Sequence, residues 1–320
     1  MLGLTGGRGG RPGAPGIHAS ATRRGGGPPP AAAPGLLPVI RVATWNLWWR
    51  FGAWAEREAA IRAVLREERP DICGLQEVWA GKAENQAASL ARELGMHWEW
   101  SSSPEPARWQ ARLPGCSAEA GNAILARWPI RDIAEVPLPC AGSGDRSRNA
   151  LACVIDSPHG RFPVITTQLT AAPWDSAARC EQVRALVQAL TARAREDFPP
   201  VVLGDLNAEP DSDEVRLLCG HKTAPAAAGL VLVDAWRYAP EEAVPWTWDR
   251  ANPHVRATLE PSSRIDYVLV GLPDHSGRGH VRSARRIGAE PVEGVWPSDH
   301  AGVLAELATG TSRPAKAVEC

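Results

Sequence analysis

Asp205 and Asn207 stand two residues apart at the end of an apolar run, in Val201-Val202-Leu203-Gly204-Asp205-Leu206-Asn207-Ala208-Glu209-Pro210-Asp211. In extended backbone, residues i and i+2 project to the same side. The spacing therefore predicts a carboxylate and a carboxamide leaving a buried strand together. A carboxylate can take a proton or hold a metal, and the amide beside it can orient a water or a phosphoryl oxygen without competing for that proton. Taken alone, the stretch could equally be an Asp/Asn-rich turn.

Other polar residues close apolar runs in the same way, and the elements around them decide whether they can meet. Asn46 ends the alternating run 39–46, and Glu77 ends the buried run 72–77. Between them, Ile61, Val64 and Leu65 recur at helical spacing in 54–69, before Pro70. Strand, helix and strand in succession predict a parallel pair with Asn46 and Glu77 at one rim, where Glu77 would suit a hard metal. Residues 85–94 read as a helix and 97–101 as a short strand. Pro129 interrupts 121–127 and 132–138, which predicts a hairpin. Strands at 148–155 and 161–169 follow, with His159-Gly160 at their turn, so antiparallel pairs are mixed into the sheet. The periodicity of Ala178, Val183, Leu186, Val187 and Leu190 predicts an amphipathic helix over 174–195 with Arg179 and Arg184 on its polar side. Strands are expected at 230–236 and 264–270. Asp266 lies inside the latter and needs a partner if buried. Ser298-Asp299-His300 directly precedes a last strand, 301–307.

Composition narrows the class. With 320 residues, 44% of them hydrophobic, the chain can bury one large α/β domain or two smaller ones. No apolar run is long enough to span a bilayer and no signal-peptide core is visible, so a soluble, cytoplasmic, monomeric protein is expected. Seven scattered cysteines without a CxxC pair argue against a disulfide framework or a zinc site. A net charge of −1, with Lys82, Lys222 and Lys316 the only lysines, leaves local arginines to hold any polyanion. The Gly, Pro, Ala and Arg of residues 1–38 predict a disordered tail ahead of a domain at 39–308, with a flexible tail at 309–320.

Thr44-Trp45-Asn46, Leu75-Gln76-Glu77-Val78, Gly121-Asn122-Ala123-Ile124-Leu125-Ala126-Arg127, Arg148 with Ala150-Leu151, Gly204-Asp205-Leu206-Asn207, Arg264-Ile265-Asp266-Tyr267 and Ser298-Asp299-His300 occur in this order. Together they resemble the metal-dependent endonuclease/exonuclease/phosphatase superfamily over about residues 39–308. The resemblance implies a four-layer α/β/β/α sandwich of two packed mixed β-sheets flanked by helices. It also implies a phosphoesterase, either a phosphodiesterase or a nuclease, acting by in-line attack of an activated water with Mg2+ or Mn2+. Position by position, Glu77 with Asn46 would hold the metal and Asp299 would reach it through water. Asp205 would orient or deprotonate the attacking water, and Asn207 would steady the phosphoryl oxygens. His300 would stand near the phosphate with Asp266 fixing its tautomer. Asn122 and Arg148 fall in motifs expected to touch substrate.

Two departures shape the expectation. Gln168 occupies a position that is usually histidine in the family, and it can donate a hydrogen bond but cannot deliver a proton near neutral pH. Trp48 stands where some DNA-repair members carry an acidic residue. Trp48, Trp49, Trp79, Trp174 and Trp246 adjoin expected site loops and could stack on bases or pack on a lipid head group, with Trp48 and Trp79 the candidates for substrate contact. Arg278, Arg282, Arg285 and Arg286, with His280, either grip phosphates or solvate a hairpin. Three substrate readings stay open: nucleic acid, a lipid or small-molecule phosphate, and a catalytically degenerate binding member.

Overall fold

In the computed structural model, which describes residues 38–140, 144–192 and 197–310, alternation of side chains along the central strands sets the layers. The strands are β1 (Val39–Asn46), β2 (Ile72–Ala80), β3 (His97–Ser102), β4 (Glu119–Ala126), β5 (Ile130–Pro137), β6 (Asn149–Ser157), β7 (Gly160–Gln168), β8 (Val201–Asp205), β9 (Leu232–Asp234), β10 (Asp266–Gly271), β11 (Val281–Ile287) and β12 (Gly302–Ala308). The helices are α1 (Trp54–Glu68), α2 (Gln86–Leu94), α3 (Pro106–Gln110), α4 (Ser176–Thr191), α5 (Asp213–Cys219) and α6 (Pro253–Arg256). Two six-stranded sheets form, in the orders β11-β12-β1-β2-β4-β3 and β5-β6-β7-β8-β10-β9.

Along β1, Ile40 and Val42 join Val201 and Leu203 of β8 in a core between the sheets, while Ala43 and Trp45 pack with Ile61 and Leu65 of α1. On β8, Val202 turns the other way, onto Val183 and Leu186 of α4. Each central strand is thus apolar on both faces, and the result is the expected four-layer sandwich. Both sheets are mixed. β1 runs parallel to β2 and β7 parallel to β8, whereas β10 runs antiparallel to β8 with Asp266 opposite Asp205. Gly74 lets the sheets approach closely, since a Cβ there would lie 2.7 Å from Thr166 Oγ1. Among the described residues, no helix is long and apolar enough to cross a membrane, and Cys73, Cys116, Cys140, Cys153, Cys180 and Cys219 form no disulfide.

Four expectations need correction. The segments around Pro129 do not form a hairpin: β4 belongs to the first sheet and β5 to the second, and the break at Trp128-Pro129 carries the chain across the core. The strand expected at 230–236 shortens to β9, because the Asp234 side chain accepts from Trp236 N at 3.0 Å and starts a 3-10 helix, Ala235–Tyr238. Arg179 is not on a solvated face but buried in an ion pair with Glu214. The basic stretch 278–286 lies mostly in β11, antiparallel to the next strand, β12, and most of its arginines are already engaged. There Arg285 pairs with Glu68 and Arg286 with Asp249, while Arg278 binds the Asp197 carbonyl. The tails expected at 1–38 and 309–320 lie, apart from Pro38, Thr309 and Gly310, outside the described residues.

Candidate active site

The site begins with a bulge. The pairing of β2 with β4 shifts register between Leu75 and Val78, and Glu77 takes φ +51°. β2 therefore continues to Ala80 instead of ending at Glu77. The bulge cancels the usual alternation, so the consecutive residues Gln76 and Glu77 both reach toward the second sheet. Gln76 Nε2 donates to Thr166 Oγ1 at 2.9 Å, and Glu77 Oε1 accepts from Gln168 Nε2 at 2.7 Å.

Asp205 is the meeting point. Its Oδ2 accepts from Asn46 Nδ2 and from Gln168 Nε2, both at 3.1 Å, and Asn46 Nδ2 also lies 3.2 Å from Glu77 Oε1. Neighbouring registers explain the convergence: Gln168 pairs with Asp205 across β7 and β8, and Asp205 with Asp266 across β8 and β10. Gln168 Oε1 accepts in turn from Arg148, which is buried and held by Asp145 at 3.0 Å. Asn207 departs from the expected geometry. The strand stops at Asp205, and Asn207 adopts φ +49° with its N–H donated to Asp205 Oδ1. Its amide then donates to Leu169 O at 3.0 Å, closing the loop beneath Asp205.

On the other side, His300 Nδ1 lies 2.9 Å from Asp266 Oδ2, and His300 Nε2 lies 4.0 Å from Asp205 Oδ2. Asp266 thereby gains its partner. Burial alone would lower the imidazole pKa, but the carboxylates of Asp266 and Asp205 outweigh it and hold His300 well above the usual range. Thr247 Oγ1 accepts from the backbone N–H groups of Ile265 and Asp266, and the Trp248 ring packs edge-on to His300 at 4.9 Å. Ser298 Oγ donates to Asn46 O at 2.7 Å, while Trp45 Nε1 donates to His300 O at 2.9 Å, tying the 298–300 turn to the end of β1.

Arg57 was not foreseen. Its guanidinium is buried and donates to five carbonyls, those of Leu47, Trp48, Trp49, Phe51 and Pro297, so one side chain clamps the loop after Asn46 to the turn before Asp299. Burial lowers its pKa to about 10 against the pull of Asp299. A signal was present: residues 57, 61 and 65 follow helical spacing, which puts Arg57 on the apolar stripe. Arg179 stands the same way with 183 and 187. Gln76 and Thr166, which tie the sheets together, carried no such signal.

The donor set suits a hard dication. Glu77 Oε2 is buried without a hydrogen-bond partner. Burial raises the Asp299 carboxyl to about 7; the charge of Glu77 adds to the rise, while His300 and Arg57 oppose it. A cation at Glu77, with Asp299 and Asn46 beside it, would partner the orphaned oxygen and offset the like charges. Asp205, Asp266 and His300 also bring ligand atoms within 4.8 Å of one another. There, however, His300 Nδ1 is already bonded to Asp266, which suits proton handling better than a metal cage.

The remaining candidates divide. Asn122 donates to Asn149 and, with Glu77, Arg148 and Gln168, lines a small cavity. Trp48 is half-buried against His254, with ring centres 4.5 Å apart. Trp79 is placed off the site: it is buried and donates its indole N–H to Glu58 at 2.8 Å. Trp49 is buried as well, whereas Trp174 and Trp246 are exposed.

The fold recurs in known proteins. The human Nocturnin catalytic domain with bound sulfate is 21% identical, with 84% of this chain and 93% of that chain covered at a TM-score of 0.64. D. rerio TDP2 complexed with single-strand DNA product is 19% identical, covering 84% and 98% at 0.65. An endonuclease/exonuclease/phosphatase from Beutenbergia cavernae DSM 12333 is 25% identical, covering 86% and 72% at 0.61. No curated protein is matched by sequence. The model of the Endonuclease/Exonuclease/phosphatase family matches residues 43–300. That span runs from the strand bearing Asn46 to His300, and with it the chain belongs to the endonuclease/exonuclease/phosphatase family.

Proposed function

We propose that this chain is a divalent-cation-dependent phosphodiesterase or nuclease that hydrolyses a phosphate ester by in-line attack of water. The observation that carries the proposal is the convergence on Asp205, a buried carboxylate bonded by two amides and 4.0 Å from the His300 imidazole. Asp205 would orient the attacking water and accept its proton, with Asn46 and Gln168 holding the carboxylate in place. His300, kept in one tautomer by Asp266, would bind the phosphoryl oxygens as charge develops. Glu77, with Asn46 and Asp299, would hold Mg2+ or Mn2+. When bound, the cation supplies electrostatic offset of the phosphate's charge. The sulfate in the Nocturnin domain and the DNA product in TDP2 support a phosphoester substrate.

A binding role without catalysis is favoured by one observation: Gln168 Nε2 donates to both Glu77 and Asp205, occupying the two carboxylates that chemistry would need. A magnesium-dependent screen across DNA, RNA, phosphoinositides and sphingomyelin, with Asp205→Ala as blank, separates the two. Turnover abolished by Asp205→Ala and by chelator is expected. Binding without turnover would support the non-catalytic role, and turnover indifferent to Asp205 would overturn the assignment.

A further inference from the structure

Two clefts of opposite charge flank the 170–173 loop that follows Gln168, and they meet at Ala171. One, of about 220 Å³, opens beside Arg148; in it the guanidinium groups of Arg108, Arg112 and Arg148 face one carboxylate, Asp145. The other, of about 480 Å³, opens beside Asn207; there Glu209, Asp211, Glu214 and Glu260 face one guanidinium, Arg179. Glu214 and Arg179 are buried and neutralise each other, so the exposed acids set the sign of that cleft.

In the basic cleft the cations differ in how far they are already used. Asp145 is shared, 3.0 Å from Arg148 and 3.5 Å from Arg108. Arg112 has no carboxylate partner among the described residues. Its guanidinium lies 4.6 Å from the Phe51 ring and 5.0 Å from the Trp109 ring. Stacking of this kind uses the face of the guanidinium and leaves its N–H edge for an anion. Arg148 lies 5.7 Å from the same Trp109 ring, so the indole spaces Arg112 from the cation that bonds Gln168. A phosphate at Asp205 and a second anion at Arg112 would therefore sit along one continuous wall.

We propose that the basic cleft seats a second phosphate of the substrate, with Arg112 as the residue that selects for it, and that the acidic cleft faces the part of the substrate without phosphate. The inference rests on the phosphoesterase reading above and narrows its substrate class to multiply phosphorylated molecules. A short single-stranded oligonucleotide and an inositol polyphosphate both offer that chemistry.

The test compares p-nitrophenyl phosphodiesters of thymidine with and without a second phosphate on the sugar, in Mg2+. The wild type should show the lower KM for the doubly phosphorylated ester. Arg112→Glu should raise that KM by at least about ten-fold more than the KM of the single-phosphate ester, the range expected for one charge-assisted hydrogen bond, and Arg112→Lys should retain part of the preference. Equal effects on both esters would overturn the proposal. So would a combined Glu209→Gln, Asp211→Asn, Glu260→Gln variant that gained affinity for the second phosphate while Arg112→Glu changed nothing. If the wild type cleaves neither ester and the magnesium-dependent screen above also finds no turnover, the hydrolase reading fails by itself; in either case binding then decides the cleft. Anisotropy of labelled oligothymidylate, with inositol hexakisphosphate as competitor, should show binding that Arg112→Glu abolishes, and the better competitor names the source. Binding indifferent to Arg112→Glu would overturn the proposal on that arm too.

Discussion

His300 Nδ1 sits 2.9 Å from Asp266 Oδ2, and among the described residues Asp266 Oδ1 has no hydrogen-bond partner. The two side chains thus form one unit. Asp266→Asn and His300→Ala should be strongly non-additive in kcat, because either change disables the same group. Losses that simply multiplied in the double variant would show that the pair does not act together.

The pH profile follows from the same contact. The His300 pKa is raised, so its protonated form persists above the ordinary imidazole range and is lost as pH rises through the raised value. Activity that needs the imidazolium should fall on that alkaline limb. Asp266→Asn removes the charge holding the proton, and the limb should move to lower pH. A rate profile unmoved by the substitution would refute the role given to Asp266.

Glu77→Gln tests the metal site. Glu77 Oε2 is a buried oxygen without a hydrogen-bond partner among the described residues, so neutralising this side chain should raise the magnesium needed for half-maximal activity by about 10–100-fold or more. Calorimetric titration with Mg2+ reads the same loss without turnover. Unchanged metal dependence would remove Glu77 from the site.

Gln168→His replaces a side chain that makes three contacts, to Glu77, Asp205 and Arg148, with one that can be a cation. If it reaches the phosphate, turnover on an alkyl phosphodiester should rise by ~10²–10⁴-fold, with little gain on a nitrophenyl ester. The gain should fade as pH rises through the new imidazole's titration. Identical profiles for both proteins would show that the glutamine already does what position 168 requires.

Arg57→Lys probes the clamp. A lysine cannot serve five carbonyls, and leaving several of them buried and unpaired should cost at least about 3 kcal/mol. A lowered urea midpoint with unchanged slope is the expected result; unaltered stability would show that the loop is held by other contacts.

Much of this was legible in the sequence for one reason: a polar residue at the edge of or within an apolar run stands out, and Asn46, Glu77 and Asp205 close such runs, Asp266 sits inside one and His300 directly precedes one. What was not legible depends on contacts distant in the chain or on backbone that side-chain patterns do not report. The bulge that turns Glu77 inward has no glycine to announce it. Nothing in 121–138 says that the chain changes sheets, since both strands keep apolar faces. The i, i+2 spacing of Asn207 suggests extended backbone, yet asparagine is among the residues that tolerate the left-handed region it adopts. Arg57 and Arg179 were legible in principle, by their place on apolar stripes.

The position of β12 between β11 and β1 has a consequence for biogenesis. Trp45 and His300, 255 residues apart, are joined across that seam, and Val39 pairs with Ala308. During synthesis β1 keeps an unpaired edge until residues 302–308 leave the ribosome, and such edges are prone to pairing with other chains. Ribosome-stalled chains ending before β12 should be cleaved readily by protease, whereas chains that have extruded β12 should be resistant. The contact of the 298–300 turn with Asn46 therefore forms only after His300 has been made.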